Sequence, residues 1–414
     1  MVEKEISMFG CNLSDSFPGA SLLPALDLTR IFGEESVYCP CTSPNARRWL
    51  PSGQAVLNGL TGRQLVLAGS MPVLCSRGVS SGPALQLLRD AGLPVPSRIY
   101  KFSTNEEYLA LLQRLLSAGR QIVVNHSHPI NELPAGKCWV PPGLVNFLNN
   151  KANLGEIAPA AHVPERCLLT MKQLRRDLDK FEYPLVIKAA VNESSGGGGD
   201  VKICRSRLDV DKCLSAEFSG VEQLVKEEYL PEFLNLCLNY ALTADGRVVC
   251  CGCAEQVSDN EGMYRGNWLD RNLKLPELVF TVGDFIAGQG AVLGYYGFLG
   301  IDIALLPDGR VMAFDLNFRA NGSTTALLLE ESIARFSGKS VMRVHSWRSR
   351  AGYRHILKTA YSLLQKGSFV PFWSYDPRAD GLHDFEARLG GVLIGSAREE
   401  ILELELEIAG LGLE

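Results

Sequence analysis

A run of four glycines between two apolar segments constrains this chain more than any other feature. Gly196–Gly199 follows the segment PLVIKAA at Pro184–Ala190 and precedes a second predicted strand at Asp200–Ser206. Glycine loses more conformational freedom on folding than any other residue, so four in succession need a compensating role. Backbone N–H groups approach an anion closely where no Cβ intervenes, and Lys188 would add a positive charge beside them. We therefore predict a phosphate-binding loop, the alternative being a flexible surface hairpin with a solvent-directed lysine.

A second segment is predicted to form a β-hairpin with two acidic residues on one face. Asp308-Gly309 lies between apolar runs, and a two-residue turn there places Asp302 directly opposite Asp315. Facing like charges are destabilising, and a divalent cation would reverse that effect. Oxygen ligands of this type suit Mg²⁺, whereas a three-residue turn would break the pairing. Because side chains alternate along a strand, the same face would also carry Asn317 and Arg319; the alternative is a solvated polar face.

The remaining segments predict a mixed α/β chain. In the first 150 residues, short apolar runs such as Gln64–Ala68 are expected to be buried strands that alternate with helices, which favours a parallel sheet. Thr104 and Glu107 have capping-box spacing at the start of a helix, and Gln121–Val124 is the next strand. Lys151 is expected within a helix. After Leu329 the chain is predicted to be mostly helical, with a strand and a helix at its end.

Composition limits the class of protein. A chain of 414 residues favours two or three domains, and a net charge of −5 argues against a general nucleic-acid binder. No apolar run approaches the roughly 18 residues needed to cross a bilayer, so no membrane association is expected. The N-terminus lacks the features of a signal peptide, and twelve cysteines then indicate a reducing, cytoplasmic location.

Four segments, in order over Asn150–Leu329, resemble the ATP-grasp superfamily of carboxylate ligases. Lys151 resembles the first ATP-binding lysine, and Lys188 with the glycine loop resembles the second lysine and the phosphate lid. Glu227–Leu230 resembles the hinge that holds adenine, and the acidic hairpin resembles the metal and catalytic strand pair. Aspartate stands at both metal positions where the family usually has glutamate, and the acidic residue that often holds ribose after the hinge is missing.

The resemblance implies ATP and Mg²⁺ as cofactors and assigns roles to individual residues. Glu227 would accept from the adenine amino group, and the backbone at Glu228 and Leu230 would bond the ring edge. The implied ATP site comprises Lys151, Lys188, Ser195, Gly196, Gly197, Gly198, Gly199, Glu227, Glu228, Leu230 and Asn235. The implied metal ligands are Asp302, Asp315 and Asn317, the catalytic residues Arg319 and Lys188, and the substrate contacts Arg265, Asn321 and Ser323.

The same resemblance implies an α/β fold class, with α+β ATP-grasp domains preceded by a pre-ATP-grasp α/β domain. The expected boundaries are 1–141 for that first domain and 142–226 for a small lid subdomain with the glycine loop. Residues 227–414 would form the large subdomain with the metal hairpin and a C-terminal segment of helix and strand.

The chain looks most like bacterial antibiotic-pathway members, such as the butirosin-type ligase that joins glutamate to an acyl-carrier protein. This implies activation of an amino-acid carboxylate, with glutamate as a candidate, as an acyl phosphate that passes to a carrier-protein thiol or an amine. The alternatives are a peptide ligase joining two small amino acids and a non-catalytic nucleotide-binding protein. The basic segment Arg343–Lys358 would bind the acidic carrier, unless it is an ordinary solvated helix face. A homodimer is a further expectation.

Overall fold

The structure is a computed structural model that describes residues 21–50, 53–193, 195–259 and 262–414. Its N-terminal part contains a four-stranded sheet in the order β3-β2-β1-β4, with every neighbouring pair parallel. The strands are β1 (Ser36–Cys39), β2 (Val73–Ser76), β3 (Ile99–Phe102) and β4 (Gln121–Val124). The predicted parallel sheet is thus confirmed.

Helices connect and flank these strands. They are α1 (Leu28–Phe32), α2 (Gln54–Leu60), α3 (Gly82–Asp90), α4 (Asn105–Ser117) and α5 (Pro142–Asn149). Thr104 caps α4 by accepting from the Glu107 N–H at 3.2 Å, but the Glu107 carboxylate accepts from the Ser103 N–H at 2.8 Å, so only half of the predicted capping box forms. The strand predicted at Gln64–Ala68 is wrong, because this run contains the 3₁₀ turn Leu65–Leu67. All three turn residues are buried, and a short run buried on every side has no periodicity that separates turn from strand.

A small antiparallel sheet follows, in the order β5-β8-β6-β7. Its strands are β5 (Arg166–Thr170), β6 (Leu185–Ala189), β7 (Val201–Cys204) and β8 (Gln223–Glu228). The short helix α6 (Leu154–Ile157) precedes this sheet and packs in the main hydrophobic cluster, whereas α7 (Met171–Asp177) and α8 (Arg207–Ser215) pack against the sheet. Thr170 and Gln173 form the predicted capping box of α7. The division between 226 and 227 stays a prediction, although β8 runs through it.

The rest of the chain builds an eight-stranded sheet in the order β13-β12-β9-β10-β11-β14-β16-β15. Its strands are β9 (Leu234–Leu242), β10 (Val248–Ser258), β11 (Tyr264–Asp270), β12 (Gly297–Leu305), β13 (Val311–Asn317), β14 (Val341–Ser349), β15 (Phe369–Tyr375) and β16 (Ala387–Gly395). The helices are α9 (Glu277–Val292), α10 (Thr324–Ser337), α11 (Tyr353–Gln365) and α12 (Arg398–Gly410). The prediction of a mostly helical chain after Leu329 is wrong, since β14 and β15 lie there, whereas the strand and helix predicted at the end are confirmed as β16 and α12.

The acidic hairpin of β12 and β13 reaches its predicted pairing by a different route. Leu306 N–H donates to the Arg310 carbonyl at 2.9 Å, so three residues form the turn, which alone would misalign the two aspartates. The register then shifts between Asp302 and Ile303, where Phe314 is the extra residue of a bulge. Asp302 therefore does lie opposite Asp315.

The described residues form the expected α/β fold. Their main hydrophobic cluster joins the N-terminal sheet to the eight-stranded sheet, and the small sheet has a cluster of its own. Within the described ranges, no helix combines the length and apolarity that a membrane span requires.

Candidate active site

Lys151 lies between the small sheet and the acidic hairpin. The predicted helix around it ends at Asn149, and Lys151 begins a 3₁₀ turn that the Asn150 side chain caps by accepting from Ala152 N–H. The lysine is buried at 8% exposure. Its Nζ donates to the Asp315 carboxylate and lies 3.7 Å from an oxygen of Asp200. Burial lowers the pKa of Lys151, but the charges of these two aspartates outweigh burial and raise it.

Lys188 enters the same region from β6. Its side chain is 3% exposed, which contradicts the alternative of a solvent-directed lysine. Its Nζ is ion-paired with Glu227 of β8 and donates to the carbonyl of Phe314 at 2.7 Å. Phe314 is the bulged residue of β13, so the bulge that aligns the two aspartates also contributes an acceptor for this lysine.

The glycine loop joins β6 to β7 and contacts the N-terminal part of the chain. Gly197 and Gly198 have φ of +73° and +84°, a region that favours glycine, so the run is required by the backbone here. Gly196 N–H donates to the Trp49 carbonyl at 3.1 Å, and Ser195 forms a parallel bridge with Trp49. Ser194 lies outside the described residues. The loop follows the strand that carries Lys188 and ends at Asp200, which lies 3.7 Å from Lys151. Its role as a phosphate lid stays a prediction.

The predicted metal face brings its three members together. Asp302 is buried, and its Oδ1 has no hydrogen-bond partner among the described residues. Its Oδ2 accepts from the Asn317 amide at 3.4 Å, and Asp315 lies across the ladder. A buried, unpartnered carboxylate oxygen opposite a second carboxylate suits a divalent cation. The residues therefore fit Mg²⁺, which stays a prediction.

The two aspartates differ in their electrostatic surroundings. Burial, followed by the charge of Asp315, raises the pKa of Asp302 to about 7. Burial also acts to raise the pKa of Asp315, but the charges of Lys151, Lys188 and Arg319 outweigh it and lower the value. Asp315 is thus held as the anion by the cations around it.

Arg319 follows β13 and lies on the predicted face. Its guanidinium donates to the Asn317 side-chain oxygen and, at 3.2 Å, to that of Asn149. The Asn149 oxygen also accepts from Phe318 N–H at 2.9 Å, which fixes the chain at the end of the strand. Asn149 and the Lys151 partner Asp200 were not predicted as site residues. In the sequence, only two features pointed to them: Asn149 lies close to Lys151, and Asp200 directly follows the glycine run.

Several of the groups predicted to contact adenine already have partners within the protein, whereas the group predicted near the ribose has none in the part of the chain that the structure describes. Glu227 is buried, pairs with Lys188 and lies 3.5 Å from Arg166, so cations already surround its carboxylate. The Glu228 N–H donates to the Glu165 carbonyl and is not free for a ring edge. Leu230 lies in an apolar cluster near Leu306, Met312 and Phe314. Asn235 has a buried Oδ1 without a partner among the described residues, which suits a hydroxyl donor.

The three predicted substrate residues have local partners. Arg265 is exposed and pairs with Asp259 at 2.7 Å, although it also lines a cavity. Asn321 accepts from Ser323 and Thr324 at the start of α10. Ser323 is 1% exposed and accepts from Asn239 at 3.1 Å, and its role as a substrate contact stays a prediction.

Two family models match the chain. The family described as L-aspartate--L-methionine ligase, ATP grasp, matches residues 164–317, which contain the small sheet and the acidic hairpin. The family described as L-aspartate--L-methionine ligase N-terminal domain matches residues 27–146. The chain belongs to the ATP-grasp superfamily of ligases. It is therefore an ADP-forming ligase, as the four motifs predicted.

Solved structures show the same fold for this ATP-grasp ligase. Biotin carboxylase from Campylobacter jejuni has a TM-score of 0.57 at 11% identity, covering 92% of each chain. N5-carboxyaminoimidazole ribonucleotide synthetase from Thermus thermophilus has a TM-score of 0.57 at 12% identity, covering 91% of this chain and 98% of the other. Phosphoribosylamine–glycine ligase from Thermotoga maritima has a TM-score of 0.55 at 14% identity, with 92% and 97% covered.

Proposed function

We propose that this ATP-grasp ligase joins two amino acids through a peptide bond, with formation of ADP and phosphate. The observation that carries the proposal is the convergence of Lys151, Lys188 and Arg319 on the paired aspartates of the acidic hairpin. L-aspartate and L-methionine are the first pair to test, because both matching families carry that name.

In the first step, a carboxylate oxygen of the donor amino acid attacks the γ-phosphorus of ATP, the bond to the bridging oxygen breaks, and ADP leaves. Phosphoryl transfer depends mainly on positioning and neutralisation of charge. Lys151 and Lys188 would hold phosphate oxygens, because both are buried cations, one paired with Asp315 of the acidic hairpin and the other donating to its Phe314 carbonyl. When bound on Asp302, Asp315 and Asn317, Mg²⁺ would neutralise charge on the transferred phosphoryl group.

In the second step, the acceptor amine attacks the carbonyl carbon of the acyl phosphate, phosphate leaves, and the amine loses a proton. Arg319 would stabilise the oxyanion that develops on that carbon. The glycine loop and Trp49 would exclude water, since the acyl phosphate otherwise hydrolyses. No protein nucleophile is needed.

The carrier-protein interpretation has no support from the predicted basic segment. Arg343 is 5% exposed and pairs with Glu405 at 3.2 Å, and it belongs to β14 instead of a solvated helix. Arg348 and Arg350 both pair with Glu386. Much of the positive charge is therefore neutralised within the fold. The family names likewise favour the peptide-ligase alternative over carrier acylation, and neither points to antibiotic biosynthesis.

The test is mass spectrometry of products formed from ATP, Mg²⁺ and all pairs of the twenty amino acids, with ADP release measured in parallel. We expect one dipeptide per ADP, with aspartyl-methionine among the best products. ATP binding without ADP release under every pair would favour the non-catalytic alternative. Product only with a pantetheine thiol would restore the carrier interpretation. The cytoplasmic location and the homodimer stay predictions.

A further inference from the structure

A cavity of about 450 Å³ lies between the N-terminal part of the chain and the C-terminal strands of the large sheet. Arg63 lines it from the N-terminal side, and Tyr264, Trp373 and Arg388 line it from the sheet. Gly322, three residues beyond Arg319, belongs to the same wall. The cavity is therefore next to the predicted catalytic arginine, but its lining includes neither the two lysines nor the paired aspartates.

Two arginines of this cavity form no ion pair with any described residue. Within the described ranges, no carboxylate lies within ion-pair distance of Arg63 or Arg388, and neither guanidinium donates a hydrogen bond. Burial lowers the pKa of Arg63, and the charge of Arg388 lowers it further. Glu414 also lines the cavity, but it pairs with Arg348. A partly buried cation without an ion pair is costly, so the two arginines indicate an anion from outside the chain.

The strand register places Arg388 beside a second arginine. Arg388 of β16 lies directly opposite Arg348 of β14, and facing like charges are destabilising. Arg348 turns to Glu386 and Glu414, at 3.3 and 2.9 Å, whereas Arg388 forms no ion pair among the described residues. Burial lowers the pKa of Arg388, and the more distant charge of Glu386 offsets only part of that effect. This arrangement repeats, with opposite sign, the paired aspartates of the acidic hairpin.

Arg63 is held in place by its own backbone. Its carbonyl accepts from the Thr325 hydroxyl at 2.8 Å, near the start of α10. The preceding Gly62 packs so closely that a Cβ would lie 2.9 Å from Trp373. The backbone that carries the Arg63 side chain is therefore fixed relative to the sheet residues across the cavity.

We propose that Arg63 and Arg388 bind the α-carboxylate of the acceptor amino acid, with the aromatic wall of Trp373 and Phe372 beside its side chain. This inference rests on the proposed function. The acceptor must keep its carboxylate unreacted while its amine attacks, so that carboxylate belongs away from the phosphoryl-transfer groups. A guanidinium recognises a carboxylate through two parallel hydrogen bonds.

The experiment separates donor activation from acceptor binding. Hydroxylamine replaces the acceptor and traps the acyl phosphate as a hydroxamate, without any acceptor carboxylate. For Arg388→Gln and Arg63→Gln we expect hydroxamate formation close to wild type and a KM for L-methionine raised about 10-fold or more. Wild type should prefer L-methionine to L-methioninamide, and the variants should lose that preference. Arg271→Gln, which removes an arginine paired with Glu331 outside the cavity, is the matched control.

Each outcome is decisive. An unchanged KM and unchanged acid-to-amide preference would overturn the inference. Equal loss of hydroxamate and dipeptide would also overturn it, because the arginines would then serve the donor or the fold. Loss of preference for aspartate over alanine as donor, with the acceptor KM unchanged, would assign the arginines to the donor side chain instead. Failure of wild type to form any hydroxamate would refute the proposed function itself.

Discussion

At the scale of single residues, the candidate site consists of buried charges that neutralise one another. Lys151 pairs with Asp315, and Lys188 pairs with Glu227, each with at most 8% of the lysine exposed. Buried charges are tolerated when they are paired and hydrogen-bonded. Removal of one member of a pair therefore leaves a buried charge uncompensated, so the contribution of each pair to activity or stability can be measured.

Replacing Asp315 by asparagine should abolish turnover while the protein remains folded. The change removes the charge without altering shape, and Lys151 keeps Asp200 at 3.7 Å. Loss of charge neutralisation on the phosphoryl group should cost several kcal/mol, so ADP release should fall at least about 100-fold. Asp308→Asn, on the exposed turn of the same hairpin, is the control. Near-normal ADP release by Asp315→Asn at saturating Mg²⁺ would contradict the assignment.

The pair of Lys188 and Glu227 can be tested by a double-mutant cycle. Lys188→Met should lower the free energy of unfolding by about 3 kcal/mol, because it leaves a buried carboxylate with Arg166 alone nearby. Adding Glu227→Gln should cost less in that background than in wild type. Urea denaturation of the four proteins gives the coupling, and strictly additive losses would show that the two groups do not interact.

At the scale of elements, two lysines link the β6–β7 segment to the β12–β13 hairpin: Lys188 of β6 contacts Phe314, and Lys151 contacts both Asp200 and Asp315. The bulge in β13 aligns Asp302 with Asp315 and presents the Phe314 carbonyl to Lys188 of β6. The glycine loop at the end of β6 then lies beside these charges. A local irregularity in one hairpin thus sets the geometry of the site.

Valine at both Gly197 and Gly198 should impair the loop. Positive φ at both positions strains any β-branched side chain. We expect a higher KM for ATP and more ATP hydrolysis without product, because the loop could no longer close over the phosphates. Gly220→Val, also at positive φ but with open space around it, controls for strain alone. If the control shows the same ATP KM as the double variant, the loop does not act as a lid.

At the scale of the whole molecule, the N-terminal part of the chain packs against the lid. Trp49 is 3% exposed and belongs to the hydrophobic cluster of the small sheet, with its ring 5.9 Å from that of Phe218. Arg48 donates to the carbonyls of Glu217 and Ser219. The N-terminal part therefore contributes to the core of the lid as well as to the cavity with Arg63.

Trp49→Ala should destabilise the glycine loop, although Trp49 lies far from the loop in sequence. Loss of a buried indole costs about 3–5 kcal/mol, and the bridge to Ser195 would lose its support. We expect faster proteolysis between residues 195 and 200 and slower peptide formation, with Arg48→Gln as a control that keeps the ring. Wild-type cleavage rates in Trp49→Ala would show that the contact does not hold the loop.

The sequence by itself determined the features that depend on neighbouring residues. Caps at Thr104 and Thr170, the hairpin at Asp308-Gly309 and the strand that carries Lys188 follow from local spacing and turn chemistry. The order of four such segments was enough to indicate the superfamily. The pairing of Asp302 with Asp315 was also predicted, although the expected two-residue turn was wrong.

Only the tertiary structure decided what depends on residues far apart in sequence. The strand β15 is buried on both faces, so its sequence shows no alternation that separates it from a buried helix. Only the second half of β14 alternates between exposed and buried residues, which is too short a pattern to predict the whole strand. No local sequence signal marks the bulge at Phe314, because the group that its carbonyl contacts lies on β6, which is far away in sequence. Arg63 and Arg388 are more than three hundred residues apart, and no motif surrounds either of them. Only the tertiary structure shows that they line one cavity and that neither forms an ion pair with a described residue.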